Sequence, residues 1–236
     1  MISPRLLLPV CCLLAAIGSR AQQIKQLYQA GDLGPDQVAA LKAEFGSNKT
    51  WPDRFEKSIL LALSHYPELK LTPIRFVTRP NHAPGFTRVT WGGLFSRPAN
   101  RHFLVVISDS TEEMLRPLLF KNLPFNAQVA AIGHELAHVA DFLNKSTLEI
   151  FQHAFNNVSR RYIDRFEFNT DAIAIDHGLG YQMLDWSRYV RSQMHTENWD
   201  GPAYVHKRKR RERYMNPATI RQKMLLSPLY QPAAGQ

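Results

Sequence analysis

The chain has 236 residues, of which 44% are hydrophobic and 21% charged, and its formal net charge is +9. This length suits one domain of roughly 200 residues or two small ones, and the hydrophobic fraction is enough to supply a core. The sequence contains no low-complexity tract and no internal repeat, which argues against the classes of repetitive protein.

The first 21 residues differ in composition from the rest of the chain. Arg5 precedes an apolar run from Leu6 to Ile17, and small residues follow up to Ala21. This order is typical of a secretory signal peptide cleaved after Ala21, and an uncleaved anchor is the alternative. The apolar run is too short to span a bilayer as an ordinary helix, and we expect no spanning helix after it. The expected location is therefore periplasmic or secreted.

Both cysteines of the chain, Cys11 and Cys12, lie in this predicted leader. A mature chain that begins at residue 22 would have no cysteine, which excludes disulfides and thiolate metal ligands. A metal site in the exported protein would therefore use nitrogen and oxygen ligands, a set that suits zinc.

Beyond the leader, helical patterns come first and strands follow. Two helices are expected over 34–46 and 51–67, where prolines stand near the starts and Gly46 and Pro67 near the ends. Three short segments rich in branched and aromatic residues are separated by Pro, Gly and Asn, which predicts strands joined by turns. These segments are 71–80, 85–95 and 101–110.

From Thr111 onward the pattern is helical. Asn126 is the predicted N-cap of a helix to about Asn144. A second helix is expected over 147–161, a third that Gly178 ends, and a fourth over 181–195. Pro217 is expected to open a last short helix.

The order of helices, a small antiparallel sheet and further helices predicts an α+β fold. No linker divides the chain, so we expect a single domain over 22–236, in which 22–70 form an N-terminal helical part.

The helix predicted after Asn126 carries His134, Glu135 and His138 in its apolar middle. Histidines four residues apart project from one helix face with Cβ atoms about 6 Å apart. Both imidazoles can then reach one Zn²⁺ at about 2.0–2.1 Å. Glu135 can accept a proton from the attacking water and pass it to the leaving amine, which is the chemistry of the H-E-x-x-H motif. The alternative is a hydrogen-bonded core cluster, although ionisable groups on a buried helix are costly without a partner such as a metal.

A hydrolytic zinc site needs a third protein ligand. The continuation H-E-x-x-H-x-x-G-x-x-H is absent, because Asp141 and Asn144 stand at its last two specified positions. We expect Glu167, on a later helix, to be the ligand. Asp171 lies four residues on, faces the same way and can accept the outer N–H of a liganding histidine. Asp171 as ligand is the first alternative, and the weaker ones are Glu149, Asp164 and Asp176.

The segments HELAH and FEFNTDAIA resemble the gluzincin metallopeptidases, in particular the branch of the CAAX prenyl protease and the HtpX-like heat-shock proteases. In that branch the later motif is Glu-x-x-x-Asp, usually with alanine before the aspartate, where this chain has Thr170. The resemblance covers at most residues 100–225. It implies a zincin-like fold and peptide-bond hydrolysis, with His134, His138 and Glu167 as zinc ligands and Glu135 as general base. It also implies that Asp171 hydrogen-bonds to a liganding histidine.

The same family often has a His-Pro segment near a group that steadies the oxyanion, whereas this chain has Asn216 before Pro217. By position, the candidates for a transition-state donor are His206, Tyr204 and Tyr214. We expect His177, beside Gly178, to be structural. Gluzincins also lay the substrate along a sheet edge, and Phe103–Ser110 is the predicted edge.

The basic run His206–Arg213 predicts either a charged, solvated surface segment or a contact with an anionic envelope polymer. No aromatic stacking platform or nucleic-acid motif accompanies it, so we expect no specific nucleic-acid binding. The leading hypothesis is an exported zinc metallopeptidase that acts on a peptide or protein. The alternative is a non-catalytic secreted protein that binds zinc or the envelope and retains the fold.

Overall fold

The computed structural model describes residues 24–81, 85–197, 199 and 212–231. The predicted leader, Tyr204, His206 and most of the basic run therefore lie outside the described residues. Among those that are described, no helix has both the length and the apolar character needed to cross a bilayer.

The described residues form an α+β fold, as the order of the sequence patterns predicts. One large hydrophobic core extends through them, from the first α-helix to the last. The α-helices are α1 (Pro35–Phe45), α2 (Glu56–Leu63), α3 (Trp91–Leu94), α4 (Phe125–Leu143), α5 (Thr147–Asn156), α6 (Arg160–Ala174), α7 (Gly180–Gln193) and α8 (Pro217–Leu226).

The four strands of the described residues form one sheet in the order β1-β2-β4-β3. They are β1 (Lys49–Thr50), β2 (Ile74–Arg79), β3 (Gly85–Val89) and β4 (Phe103–Ser108). Strands β1 and β2 are parallel, as are β2 and β4, and only β3 and β4 are antiparallel. The prediction of an antiparallel sheet is therefore wrong, and the sheet is mixed. All residues of β4 are buried. This apolar strand takes the central position between β2 and β3 because both of its faces can be covered there.

This strand order also overturns the prediction that Phe103–Ser110 is a free sheet edge. Strand β4 has neighbours on both sides, and β3 is the outermost strand on the side of α4. Within the described residues, the outer edge of β3 is the one that lies beside the helix of the H-E-x-x-H motif.

Helix α4 is the central helix of the core and packs against α2, α6, α7 and β3. It is apolar nearly all round, and residues such as Val129, Leu136 and Val139 have no exposed surface. A helix with this pattern is stable only when neighbours cover every face, which explains its central position.

The start of α4 differs from the prediction that Asn126 caps it. The helix begins at Phe125, after Pro124, and Asn126 is buried in its first turn. The Asn126 side chain accepts a hydrogen bond from the backbone N–H of Tyr28 at 3.0 Å and donates to Asp185 at 2.6 Å. The Asn126 amide therefore links α4 to the segment of Tyr28 and to α7 instead of capping its own helix, and it satisfies buried polar groups of those segments.

The ends of α5 and of the helical stretch that contains α6 are set by particular residues. The helix predicted over 147–161 is interrupted after Asn156, and Ser159 accepts a hydrogen bond from the backbone of Tyr162 to cap α6. Gly178 ends the following helical stretch with a φ of 86°, as predicted. We expected its neighbour His177 to be structural. It hydrogen-bonds to Glu68 at 2.8 Å and to the carbonyl of Ile173.

Candidate metal centre

His134 and His138 lie on consecutive turns of α4 and project into the same cavity. Both side chains are buried, and their ring centroids are 4.8 Å apart with nearly perpendicular planes. Their spacing of four residues places the rings side by side without any distortion of the helix. The arrangement leaves one nitrogen of each ring directed towards α6.

Glu167 of α6 completes a group of three potential ligands. Its Oε2 lies 3.1 Å from Nε2 of His134 and 3.6 Å from Nε2 of His138. One ligand atom from each of the three residues lies within 4.8 Å of the others, so the group could hold a metal ion. Two imidazoles and one carboxylate form a donor set that suits a transition metal or zinc better than calcium or magnesium.

Burial, hydrogen bonds and neighbouring charges shift the pKa values of His134 and Glu167. Burial alone would lower the pKa of His134, but hydrogen bonds with Asp171 and Glu167 outweigh it and raise that pKa well above its usual value. Burial likewise opposes ionisation of Glu167, yet the adjacent His138 and His134 hold the pKa of the carboxyl far below its usual range. The carboxylate is thus charged at neutral pH, as a carboxylate ligand must be, whereas His134 would give up the proton on Nε2 to a metal.

Each histidine is also held from behind through its other ring nitrogen. Nδ1 of His134 donates to Oδ1 of Asp171 at 2.9 Å. The hydroxyl of Thr170 donates to the carbonyl of Phe166 at 3.0 Å, so its oxygen accepts from Nδ1 of His138 at 3.2 Å. These two bonds fix the ring orientations and direct both Nε2 atoms towards Glu167. The hydrogen bond between Thr170 and His138 was not predicted from the sequence. The signal for it was a polar residue next to Asp171 on the same helix.

Glu135 lies beside the histidines, with its carboxylate directed towards β3. The hydroxyl of Thr87 donates to Oε2 of Glu135 at 2.7 Å. A Cβ built on Gly85 would be 3.0 Å from Oε1 of Glu135, so glycine makes room for the carboxylate at this point. Strand β3 therefore sets the position of Glu135. Nothing in the sequence around Thr87 indicated this, because the contact joins residues 48 positions apart.

Tyr214 is the one predicted donor that the described residues include. Its ring centroid is 5.9 Å from that of His134, and it lines the same cavity as Glu135 and Glu167. Burial and the nearby carboxylates of Glu167, Asp171 and Glu135 raise its pKa well above the usual value, so the hydroxyl keeps its proton.

The residues on either side of Tyr214 are anchored to α6. Arg213 Nε donates to Asp164 at 2.8 Å, and both side chains are buried. The backbone N–H of Met215 donates to Oδ2 of Asp171 at 2.7 Å. Arg213, the last residue of the predicted basic run, is therefore a buried ion-pair partner and is not part of a solvated surface for an anionic polymer.

The assembled group thus contains His134, Glu135, His138, Glu167, Asp171 and Tyr214. No family model, curated protein or solved structure matches the chain. The chemistry of this site therefore follows from its own residues and their geometry.

The weaker ligand alternatives lie away from the three ligand atoms. Glu149 caps the start of α5 by accepting from the backbone N–H of Ser146 at 2.7 Å. Asp176 pairs with Lys223 at 3.0 Å, and Asp164 pairs with Arg213. Asp171 is occupied by His134 and Met215, which leaves Glu167 as the acid that faces both imidazoles.

Two cavities border the group. An apolar cavity of about 100 Å³ extends from His134 and Glu135 between α7 and α8, and Met183, Trp186, Val190 and Ile220 form its walls. A more polar cavity of about 170 Å³ lies between β3 and α5 and is lined by His134, His138 and Glu167. A substrate that enters between them would meet Glu135, which lines both.

Proposed function

We propose that the protein is a zinc-dependent peptidase. The observation that carries this proposal is the group of His134, His138 and Glu167, whose ligand atoms lie within 4.8 Å of one another, with Glu135 lining the same cavity. Two imidazoles and a carboxylate are the protein ligands of a well-known class of catalytic zinc site, in which a further position stays open for water or substrate.

The proposed ligands divide their work between binding and orientation. Nε2 of His134, Nε2 of His138 and the carboxylate of Glu167 would hold the ion. When bound, zinc would polarise the scissile carbonyl and make a water molecule more acidic. Asp171 and Thr170 would keep the two imidazoles in the tautomer that directs Nε2 inwards.

Glu135 is the proposed general base. Its carboxylate would take a proton from the attacking water and deliver it to the amine that leaves. The hydrogen bond from Thr87 at 2.7 Å restricts this carboxylate to one orientation. Tyr214 is the proposed donor to the oxygen that becomes negative, because its hydroxyl stays protonated and its ring centroid lies 5.9 Å from that of His134.

A peptide or protein segment is the proposed substrate. Strand β3 has an outer edge without a strand partner among the described residues, and this edge runs past Glu135. An extended peptide can add to such an edge through main-chain hydrogen bonds, which would bring its backbone to the ligand group. The leader predicted over residues 1–21 leads us to propose that this hydrolysis occurs outside the cytoplasm.

The test combines metal analysis with cleavage of a denatured protein such as casein. We expect one zinc per chain in the purified protein and about half or less in a Glu167→Ala variant. A Glu135→Gln variant should keep its zinc and lose cleavage by about 10²-fold or more. Glu113→Gln, at a side chain that is 89% exposed, is the matched control and should cleave normally.

The two variants separate the possible failures. If the wild type binds zinc and Glu135→Gln cleaves as fast as wild type, the general-base assignment is wrong. If zinc is bound and no chelator-sensitive cleavage occurs, the non-catalytic alternative is favoured. Absence of zinc from the wild type after exposure to excess metal would contradict the site itself.

A further inference from the structure

Helix α5 has its apolar side turned outwards. Ile150 and His153 are buried and face the core, whereas Leu148, Phe151 and Phe155 are 66%, 37% and 77% exposed. The last three are spaced three and four residues apart, so they form one stripe on the helix surface. A helix on a protein surface normally shows polar residues on that side. The stripe therefore indicates that something other than water covers α5.

The stripe continues onto neighbouring segments. The Thr147 hydroxyl, at the start of α5, donates to the carbonyl of Leu94 in α3 at 3.1 Å, so α3 and its flanking residues adjoin α5. Trp91 and Phe95 in this region are 74% and 78% exposed. Val158, just after α5, is 90% exposed. We define the aromatic patch as Trp91, Phe95, Leu148, Phe151, Phe155 and Val158.

The aromatic patch and the polar cavity lie on opposite sides of α5. The inner side of α5 contributes His153 and Asn157 to the cavity wall, and β3 contributes Phe86 on the opposite side. Phe86 is itself 37% exposed. Any surface that covers the patch would therefore lie about 10 Å, one helix diameter, from the candidate metal centre.

Charge distinguishes between the possible occupants of the patch. Residues 85–101 contain three arginines and no acidic residue, and Arg88 and Arg97 among them are exposed. Arg160 and Arg161 are exposed just beyond the other end of the patch, and the whole chain carries a net charge of +9. A second copy of the chain would bring these cations together. An anionic bilayer would instead attract them, while the aromatic and aliphatic side chains enter the headgroup region.

We propose that the aromatic patch docks the protein peripherally on an anionic lipid bilayer, with α5 between the bilayer and the candidate metal centre. This interaction does not depend on the proposed peptidase activity. It would hold the candidate metal centre close to the lipid surface.

Binding of the full chain to vesicles tests this proposal. The probe is a set of vesicles made of equal parts phosphatidylglycerol and phosphatidylcholine, compared with vesicles of phosphatidylcholine alone, in co-sedimentation. We expect a Leu148→Ser/Phe155→Ser variant to bind the anionic vesicles about tenfold more weakly than wild type. The matched control is Leu225→Ser/Leu226→Ser, on α8, where the side chains are 72% and 77% exposed. This control should bind as wild type does.

Arg160→Gln/Arg161→Gln should weaken binding by roughly fivefold per cation at low salt, and only on the anionic vesicles. Brominated lipids should quench tryptophan fluorescence in the wild type and should quench it less in a Trp91→Phe variant. Circular dichroism of each variant will verify that the fold is retained, as expected for exposed positions.

Three outcomes would overturn the proposal. One is equal binding by the wild type, the patch variant and the control, since association would then come from another part of the chain. Another is equal quenching with and without Trp91. The third is a dimer in sedimentation equilibrium that the patch variant abolishes without any change in vesicle binding, which would assign the patch to a second copy.

Discussion

The substitution Asp171→Asn provides a sharp test of the candidate metal centre. Asp171 is 2% exposed, and its two oxygens have different partners. Oδ1 accepts from Nδ1 of His134 at 2.9 Å, and Oδ2 accepts from the backbone N–H of Met215 at 2.7 Å. Asparagine has nearly the same shape but offers an oxygen at one of these places and an NH₂ group at the other. One buried N–H group therefore loses its acceptor whichever way the amide points.

The expected magnitudes follow from this geometry. A buried donor without a partner costs about 1–3 kcal/mol of folding free energy. Loss of the negative charge behind a liganding histidine also weakens metal binding, typically by 10–100-fold. We therefore expect the dissociation constant of Asp171→Asn for zinc to rise about 10–100-fold, which corresponds to about 1.4–2.8 kcal/mol.

Competition with a chromophoric chelator at pH 7 measures this dissociation constant, and urea unfolding of the metal-free protein measures the change in stability. Asp176→Asn is the control, because Asp176 lies near the end of the same helical stretch but pairs at the surface with Lys223 at 3.0 Å. The control should bind zinc as the wild type does. A dissociation constant of Asp171→Asn within twofold of the wild type would refute the assignment of Asp171 as the residue that orients His134.

Further predictions concern the base, the anchored segment and pH. Gly85→Ala should lower kcat for peptide cleavage about tenfold at unchanged zinc content, because the new Cβ would crowd Oε1 of Glu135 at 3.0 Å; an unchanged kcat in steady-state assays would contradict this. Arg213→Met should lower the free energy of unfolding by about 3–5 kcal/mol, because it leaves the buried carboxylate of Asp164 without its partner. A loss below about 1 kcal/mol in urea unfolding would show that the pair is solvated. Glu68→Gln should destabilise the protein more at pH 6 than at pH 9, by at most about 1 kcal/mol because the pair is partly exposed. The partner of Glu68 is His177, and although burial lowers the pKa of His177, the bond to Glu68 raises it overall. The stabilisation of the fold by this pair is therefore complete below the usual histidine pKa and is lost as pH rises through the raised pKa. Equal melting-temperature shifts of Glu68→Gln at the two pH values would show that the pair of Glu68 and His177 does not stabilise the fold.

The arrangement within single helices could be predicted from the sequence. The spacing of His134 and His138 and that of Glu167 and Asp171 follow from helix geometry alone, since residues four apart share a face. The helical, strand and helical order likewise follows from local periodicity, which is why the α+β plan is confirmed. Errors concern contacts between distant segments. The assignment of Asn126 as a cap fails because its partners Tyr28 and Asp185 lie far away in sequence.

The sequence by itself therefore determined which residues are candidate metal ligands and which of them share a helix face. Only the tertiary structure decided that α6 crosses α4 where Glu167 meets both imidazoles, that β4 lies inside the sheet and β3 at its edge, and that Thr87 and Thr170 hold the proposed site. The physical reason is that local spacing is dictated by backbone geometry, whereas the approach of distant segments depends on how the whole core packs.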